Sequence, residues 1–94
     1  MTGPTDVEIA KVLRSFMDGN RLRTMPRPGR KRRIVLEHLV QQFEPGRRYD
    51  EAEVNALLRE SWPDVAALRR YLVDETLLDR AAGCYWRCGG PVES

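Results

Sequence analysis

The segment that most constrains the fold is residues 63–88, PDVAALRRYLVDETLLDRAAGCYWRC. Val65, Leu68 and Leu72 recur at three- and four-residue spacing, which puts them on one side of a helix, with Tyr71 beside them. Leu77 and Leu78 then begin an extended segment. Ala82-Gly83 supplies a turn, and Tyr85-Trp86-Arg87 returns as an antiparallel strand. An isolated pair of strands is marginal in water, so its apolar side needs a helix to lie on.

Two more helices precede this unit. Val35, Leu36, Leu39, Val40 and Phe43 mark the buried side of a helix from about Arg30 to Phe43, stopped by Glu44-Pro45-Gly46. Arg47-Arg48-Tyr49 reads as a short extended piece. Asp50 then caps a helix with Val54, Leu57 and Leu58 inward, Glu53 completing the capping pair, and an end near Ser61 or Trp62. Pro63 suits the first turn of the helix that follows. Upstream, Thr5-Asp6-Val7-Glu8 has the form of a capping box, and Ile9, Val12, Leu13 and Phe16 form an apolar stripe over about residues 6–18. That stripe must bury against the rest of the chain or a second copy. Between these helices, GNRLRTMPRPG carries two prolines and two glycines and reads as an extended arm, with Leu22 and Met25 as its anchors.

The 94 residues suffice for one domain with a modest core. Residues 1–20 are expected to form an N-terminal helix serving dimerisation, 21–29 a basic Pro/Gly linker arm, 30–88 the main domain and 89–94 a flexible tail. No apolar run approaches a membrane span, and MTGPTDVEIAKV lacks the basic-then-apolar order of a secretion signal. A cytoplasmic location is the resulting expectation, with no membrane partner.

Net charge is only +2, but its distribution is uneven. Arg21, Arg23, Arg27, Arg30, Lys31, Arg32 and Arg33 run without an intervening acid, whereas acids gather at Asp50-Glu51-Glu53 and Asp74-Glu75. Cations at a helix start oppose the helix dipole at a cost of several tenths of a kcal/mol, so a use other than stability is expected of them, such as phosphate contact. The bland alternative is a solvated linker and helix turn.

Enzyme chemistry finds little support. The chain has no P-loop, glycine-rich dinucleotide turn or nucleophile motif. Its one histidine, His38, has no evident partner, and the carboxylates at Asp50, Glu51 and Glu53 are explained by a helix start. Cys84, Cys88 and His38 are a poor match to a zinc site, so no metal and no cofactor are expected. On one continuous strand the two cysteines would be about 13 Å apart, beyond the ~7 Å that a disulfide tolerates. Tyr49, Trp62, Tyr71, Tyr85 and Trp86 sit at element junctions, where packing explains them better than base stacking does.

Three strings carry a resemblance: RLRTMPRPGRKRRIVLEHLVQQFEPGRRYDEAEVN, ALRRYLVDETLLDR and YWR. Within them FEPGRRYDEAEVN and LRRYLVDETLLDR are long and ordered, and over about two-thirds of the chain the sequence resembles the prokaryotic domain-of-unknown-function family catalogued as 2087. Such domains occur alone or behind helix-turn-helix regulators. The resemblance therefore implies a transcription-linked role and no particular chemistry.

The expected fold is α+β, mainly helical: a winged helix-turn-helix-like domain with an extra N-terminal helix and a small C-terminal β-hairpin. The expected function is a non-enzymatic, DNA-binding transcriptional regulator acting as a homodimer on double-stranded DNA. Arg69 and Arg70 would enter the groove from the recognition helix. Arg27, Arg30, Lys31, Arg32 and Arg33 would contact phosphates, joined by Arg47 and Arg48. The plain alternative for Arg69 and Arg70 is a solvated face paired with Asp74 or Glu75. The hairpin turn carries no charge, with Arg80 and Arg87 only flanking it, which counts against a DNA-gripping tip. The alternative function is a protein-interaction module on the same scaffold, docking to a partner regulator or the transcription machinery.

Overall fold

A computed structural model describes residues 5–89, and about half of them are helical. The first helix, α1, is Asp6–Phe16; strands β1 (Met17–Asp18) and β2 (Arg21–Leu22) follow as a small hairpin. Helix α2 is Arg30–Val40, β3 is Arg48–Asp50, α3 is Glu51–Arg59 and α4 is Val65–Asp74. The chain closes with β4 (Leu78–Ala81) and β5 (Cys84–Arg87). The architecture is α+β, with four helices and two small antiparallel sheets. No described helix is long and apolar enough to cross a membrane.

The apolar stripes lie where their spacing puts them. Leu36, Leu39, Val40 and Phe43 from α2 and its exit, Val54 and Leu58 from α3, and Leu68 and Leu72 from α4 form one core, closed by Leu77 and Leu78. The α1 stripe finds its partner within the chain: α1 packs on α2, with Val12 buried and Ile9, Leu13 and Phe16 against the core. Of the two partners that stripe allowed, the rest of the domain is the one observed.

Four local expectations change. Helix α1 stops at Phe16, two residues early, because Met17–Asp18 pairs with Arg21–Leu22 around Gly19, whose φ of 65° favours glycine. The arm is therefore docked at its start: Leu22 is buried, and its N–H donates to the Ser61 carbonyl at 2.8 Å. Second, α2 proper ends at Val40; Gln41, Gln42 and Phe43 follow in tighter three-residue hydrogen bonds that still bury Phe43. Third, Pro63 precedes α4 instead of lying in its first turn, and Asp64 caps that helix by accepting the Ala67 N–H at 3.1 Å. Finally, the expected capping box at Thr5 is half formed: Thr5 accepts the Glu8 N–H, but the Glu8 carboxylate turns to Arg30. The box at Asp50 and Glu53 is complete.

The second sheet has three strands in the order β3-β5-β4. The short piece at Arg48–Asp50 is thus a true strand, paired with β5 through Arg48–Trp86, Tyr49–Tyr85 and Asp50–Cys84. Tyr49 and Tyr85 are buried on its inner face, and the Tyr49 ring meets Phe43 edge-on at 5.0 Å. Gly89, expected in a flexible tail, is anchored: its N–H donates to the Leu77 carbonyl, and a Cβ there would come within 2.7 Å of the Thr76 carbonyl oxygen. Residues 90–94 of that tail, like 1–4, lie outside the described residues.

Candidate nucleic-acid interface

Helix α4 sets the geometry. At 100° per residue, a helix that buries Leu68 and Leu72 must turn Arg70 directly outward and put Arg69 and Tyr71 on its two flanks. Arg70 is exposed accordingly, with only the Tyr71 ring beneath it, 5.7 Å away. Arg69 is different. Its side chain is only 20% exposed; it donates to Asn55 Oδ1 on α3, lies 3.9 Å from Glu51 and faces the Tyr85 ring. Neither arginine pairs with Asp74 or Glu75; the partners of Arg69 come from α3 and β5.

The basic start of α2 is mostly engaged inside the chain. Arg30 makes a two-pronged pair with Glu8 at 2.6 and 2.8 Å, tying α1 to α2. Its guanidinium holds the Glu8 carboxyl below the usual carboxylate range, chiefly through that hydrogen bond. Arg33 bridges Glu37 at 2.7 Å and Glu75 at 3.1 Å, and also donates to the Glu75 carbonyl at the end of α4. Arg32 donates to the Pro26 carbonyl at 2.8 Å and lies 4.4 Å over the Tyr71 ring. Among the described residues, only Lys31 of this run faces solvent with no partner, as does Arg27 on the arm. The helix-dipole penalty is thus offset by local ion pairs and carbonyl contacts, a use that sequence spacing conceals because Glu8 and Glu75 are distant in the chain.

The remaining candidates lie on or beside the three-stranded sheet. Arg47 pairs with Glu53 at 3.1 Å and covers Tyr49; Arg48 is exposed and stacks on Trp86, 4.6 Å away. Of the nine candidate residues, Arg30, Arg33, Arg47 and Arg69 have a carboxylate within ion-pair distance among the described residues, whereas Arg27, Lys31, Arg32, Arg48 and Arg70 do not.

Tyr71 joins two of these regions. The guanidiniums of Arg32 from α2 and Arg70 from α4 both lie on its ring, so the start of α2 and the outward face of α4 are continuous. On the other flank, Arg80 of β4 lines a cleft with Ala66, Arg69, Arg70, Val73 and Asp74 of α4. Spacing within α4 marks that face, but nothing in the sequence connects it to Arg80.

No group of three or more His, Cys, Asp or Glu residues suited to a metal occurs among the described residues. Cys84 and Cys88 are free thiols, and Cys88 donates to the Thr76 carbonyl. Burial pushes the half-buried His38 imidazole down from its usual value.

These features define a small α+β domain that presents a basic helix face between a docked arm and a β-hairpin. Residues 21–87 match the family described as "uncharacterized protein conserved in bacteria (DUF2087)", and the chain belongs to it. No curated protein and no solved structure matches the chain.

Proposed function

We propose that this domain is a non-enzymatic, DNA-binding regulatory module of the winged-helix type. Helix α3, a short turn and α4 would form the helix-turn-helix, and β4–β5 the wing, with β3 as its third strand. The observation that carries the reading is the position of Arg70. It projects from α4 directly away from the core, between Arg32 on Tyr71 on one side and Arg80 on the other. A helix so flanked can enter a major groove while both neighbours meet backbone phosphates.

Within this proposal the roles differ from residue to residue. Arg70 is the base-reading candidate, since its guanidinium is free to present two donors to a guanine. Arg69 holds α4 on α3. Arg27, Lys31, Arg32 and Arg48 are the phosphate candidates that need not break an ion pair first. Arg30, Arg33 and Arg47 would contribute only by exchanging Glu8, Glu37 or Glu53 for DNA. Association of two copies through α1 has less support than the bare sequence gives it, because α1 buries its stripe on α2.

Fluorescence anisotropy of a randomised duplex pool, titrated at 50 and 200 mM salt, tests the reading. Five phosphate contacts give a slope of about −4.5 in log K against log salt, on the order of a 500-fold loss across that range. Absence of binding at the lower salt would refute it. The second reading, docking to a partner regulator or the transcription machinery, draws on the internal pairing of Arg30, Arg33, Arg47 and Arg69, which lowers the free charge available to DNA. It predicts weak, non-specific duplex binding together with a saturable protein partner.

A further inference from the structure

We propose that the cleft between α4 and β4 is an oxyanion site, occupied by a phosphate group of the bound nucleic-acid backbone, with Arg80 as its principal new ligand. The proposal rests on the DNA-binding reading and adds a specific contact to it. The cleft has a volume of about 260 Å³ and is lined by Ala66, Arg69, Arg70, Val73, Asp74 and Arg80. At roughly 30 Å³ per water it holds a phosphoryl group and several waters, and it falls below the usual size of a small-molecule pocket.

The sheet register explains why Arg80 reaches it. Arg80 lies directly opposite Tyr85 on β5, so the two side chains leave the sheet on the same face. That face is the inner one: Tyr85 is buried there, with its hydroxyl toward Glu51 and its ring beside Arg69. On the helix side, Ala66, Arg69, Arg70, Val73 and Asp74 recur at three- and four-residue separations and so share a single face. Ala66 leaves the N-terminal end of that face open for want of a longer side chain.

The charges make an anion the fitting occupant. Three arginine side chains line one small cleft, where their like charges repel; with Arg70 given to a base edge, Arg69 and Arg80 are relieved by a shared oxyanion. Asp74 is the one carboxylate lining it, and Glu51 stands behind Arg69, 3.9 Å away. Asp74 is within ion-pair distance of none of the three arginines, and two carboxylates do not match three cations. Arg80 itself has no acidic partner and no side-chain hydrogen bond among the described residues. Arg69 is already fixed by Asn55, so its donors need little ordering when a ligand arrives. The wing would thus meet DNA through the end of β4 next to the turn, from Arg80, so that Ala82-Gly83 itself needs no charge.

Two variants of the full chain test this: Arg80→Gln, which removes one donor group, and Ala66→Glu, which adds a carboxylate at the rim. Glutamate in the first turn of α4 complements the helix dipole, so the second variant should keep its melting temperature. Duplex anisotropy at two salts is the first readout. The second is a titration with inorganic phosphate, followed by the Nε–Hε NMR signals of the arginines. The expected result is that Arg80→Gln lowers the salt slope by about one and duplex affinity by about fivefold near physiological salt. Ala66→Glu should weaken binding further, and phosphate should shift the Arg80 signal of the parent protein. If the parent binds duplex and both variants bind it with unchanged slope, the cleft is overturned while the DNA-binding reading stands. If the parent binds no duplex yet phosphate shifts Arg80 saturably, the cleft is an oxyanion site for free phosphate and the nucleic-acid assignment is overturned. If neither ligand binds, both fall.

Discussion

The β4–β5 turn offers a sharp test because its two residues differ only in a methyl group. Ala82 and Gly83 have φ values of 51° and 78°, so both occupy the left-handed region required of a two-residue hairpin with this twist. For alanine that conformation costs roughly 1–2 kcal/mol. Glycine avoids the cost but loses more freedom on folding, roughly 0.5–1 kcal/mol. Ala82 is exposed, so its methyl contributes little packing. Ala82→Gly should therefore stabilise the domain by about 0.5–1 kcal/mol. At about 4–8 °C per kcal/mol for a domain of this size, the melting temperature should rise by about 2–8 °C. The mirror experiment is Gly83→Ala. A Cβ at Gly83 would have nothing within 4 Å, so the loss is backbone strain less the freedom that glycine gives up on folding, about 0.5–1 kcal/mol or a fall of about 2–8 °C. Thermal unfolding followed by circular dichroism reads both variants. A fall for Ala82→Gly, or no change for Gly83→Ala, would refute the assigned turn and with it the register that brings Arg80 to the inner face.

Other perturbations probe the core, the helix junctions and the titrating groups. Leu68→Ala removes a fully buried side chain at the centre of α4 and should cost about 2–5 kcal/mol in denaturant unfolding; an unchanged midpoint would show that α4 is rotated. Arg69→Ala should lower stability, by loss of the Asn55 and Tyr85 contacts, whereas Arg70→Ala should leave stability intact and flatten sequence preference in a selected-site assay. Full selectivity in Arg70→Ala would exclude that residue as the reader. Because burial lowers the His38 pKa, the folded and unfolded chains are both neutral there above the usual 6.5, and the unfolded chain takes up the proton first as pH falls. Stability should thus decline as pH drops through 6.5, and His38→Gln should flatten that decline in melting curves taken from pH 7.5 to 5.5.

The helices were legible because each carries a stripe of apolar residues that only one secondary structure can bury together, as Leu68 and Leu72 illustrate. Their ends were less so. Met17 and Asp18 continue the helical pattern, yet the Gly19-Asn20 turn brings them into register with Arg21 and Leu22, a pairing that periodicity does not encode. Strand β3 is three residues long, too short for alternation to register, and becomes a strand only because β5 lies beside it. The basic run illustrates the deeper limit. Composition marks Arg30 to Arg33 as unusual, and the family resemblance covers them, but neither reveals that Arg33 meets Glu75 from 42 residues away. Replacing the whole run would therefore disturb the contacts of Arg30, Arg32 and Arg33 at once, and Lys31→Gln is the cleaner probe of phosphate contact.

That division of labour among arginines has a consequence for recognition. Arg33 ties the start of α2 to the end of α4, Arg69 ties the middle of α4 to α3, and Arg30 ties α1 to α2. All three reduce the freedom of the elements that present Arg70, Arg32 and Arg80. A helix held at both its middle and its end can deliver an exposed guanidinium to a groove with little ordering left to do on binding. In the proposed DNA-binding reading, the pairs fix where α4 points, and the cations it carries would meet the ligand. On this view, mutating Arg33 should weaken duplex binding by loosening α4, without Arg33 having to leave Glu37 and Glu75 for DNA. Arg33→Met should lose affinity without reducing the salt slope, whereas Lys31→Gln should lose both together. A slope reduced equally by the two variants would show that Arg33 itself contacts phosphate.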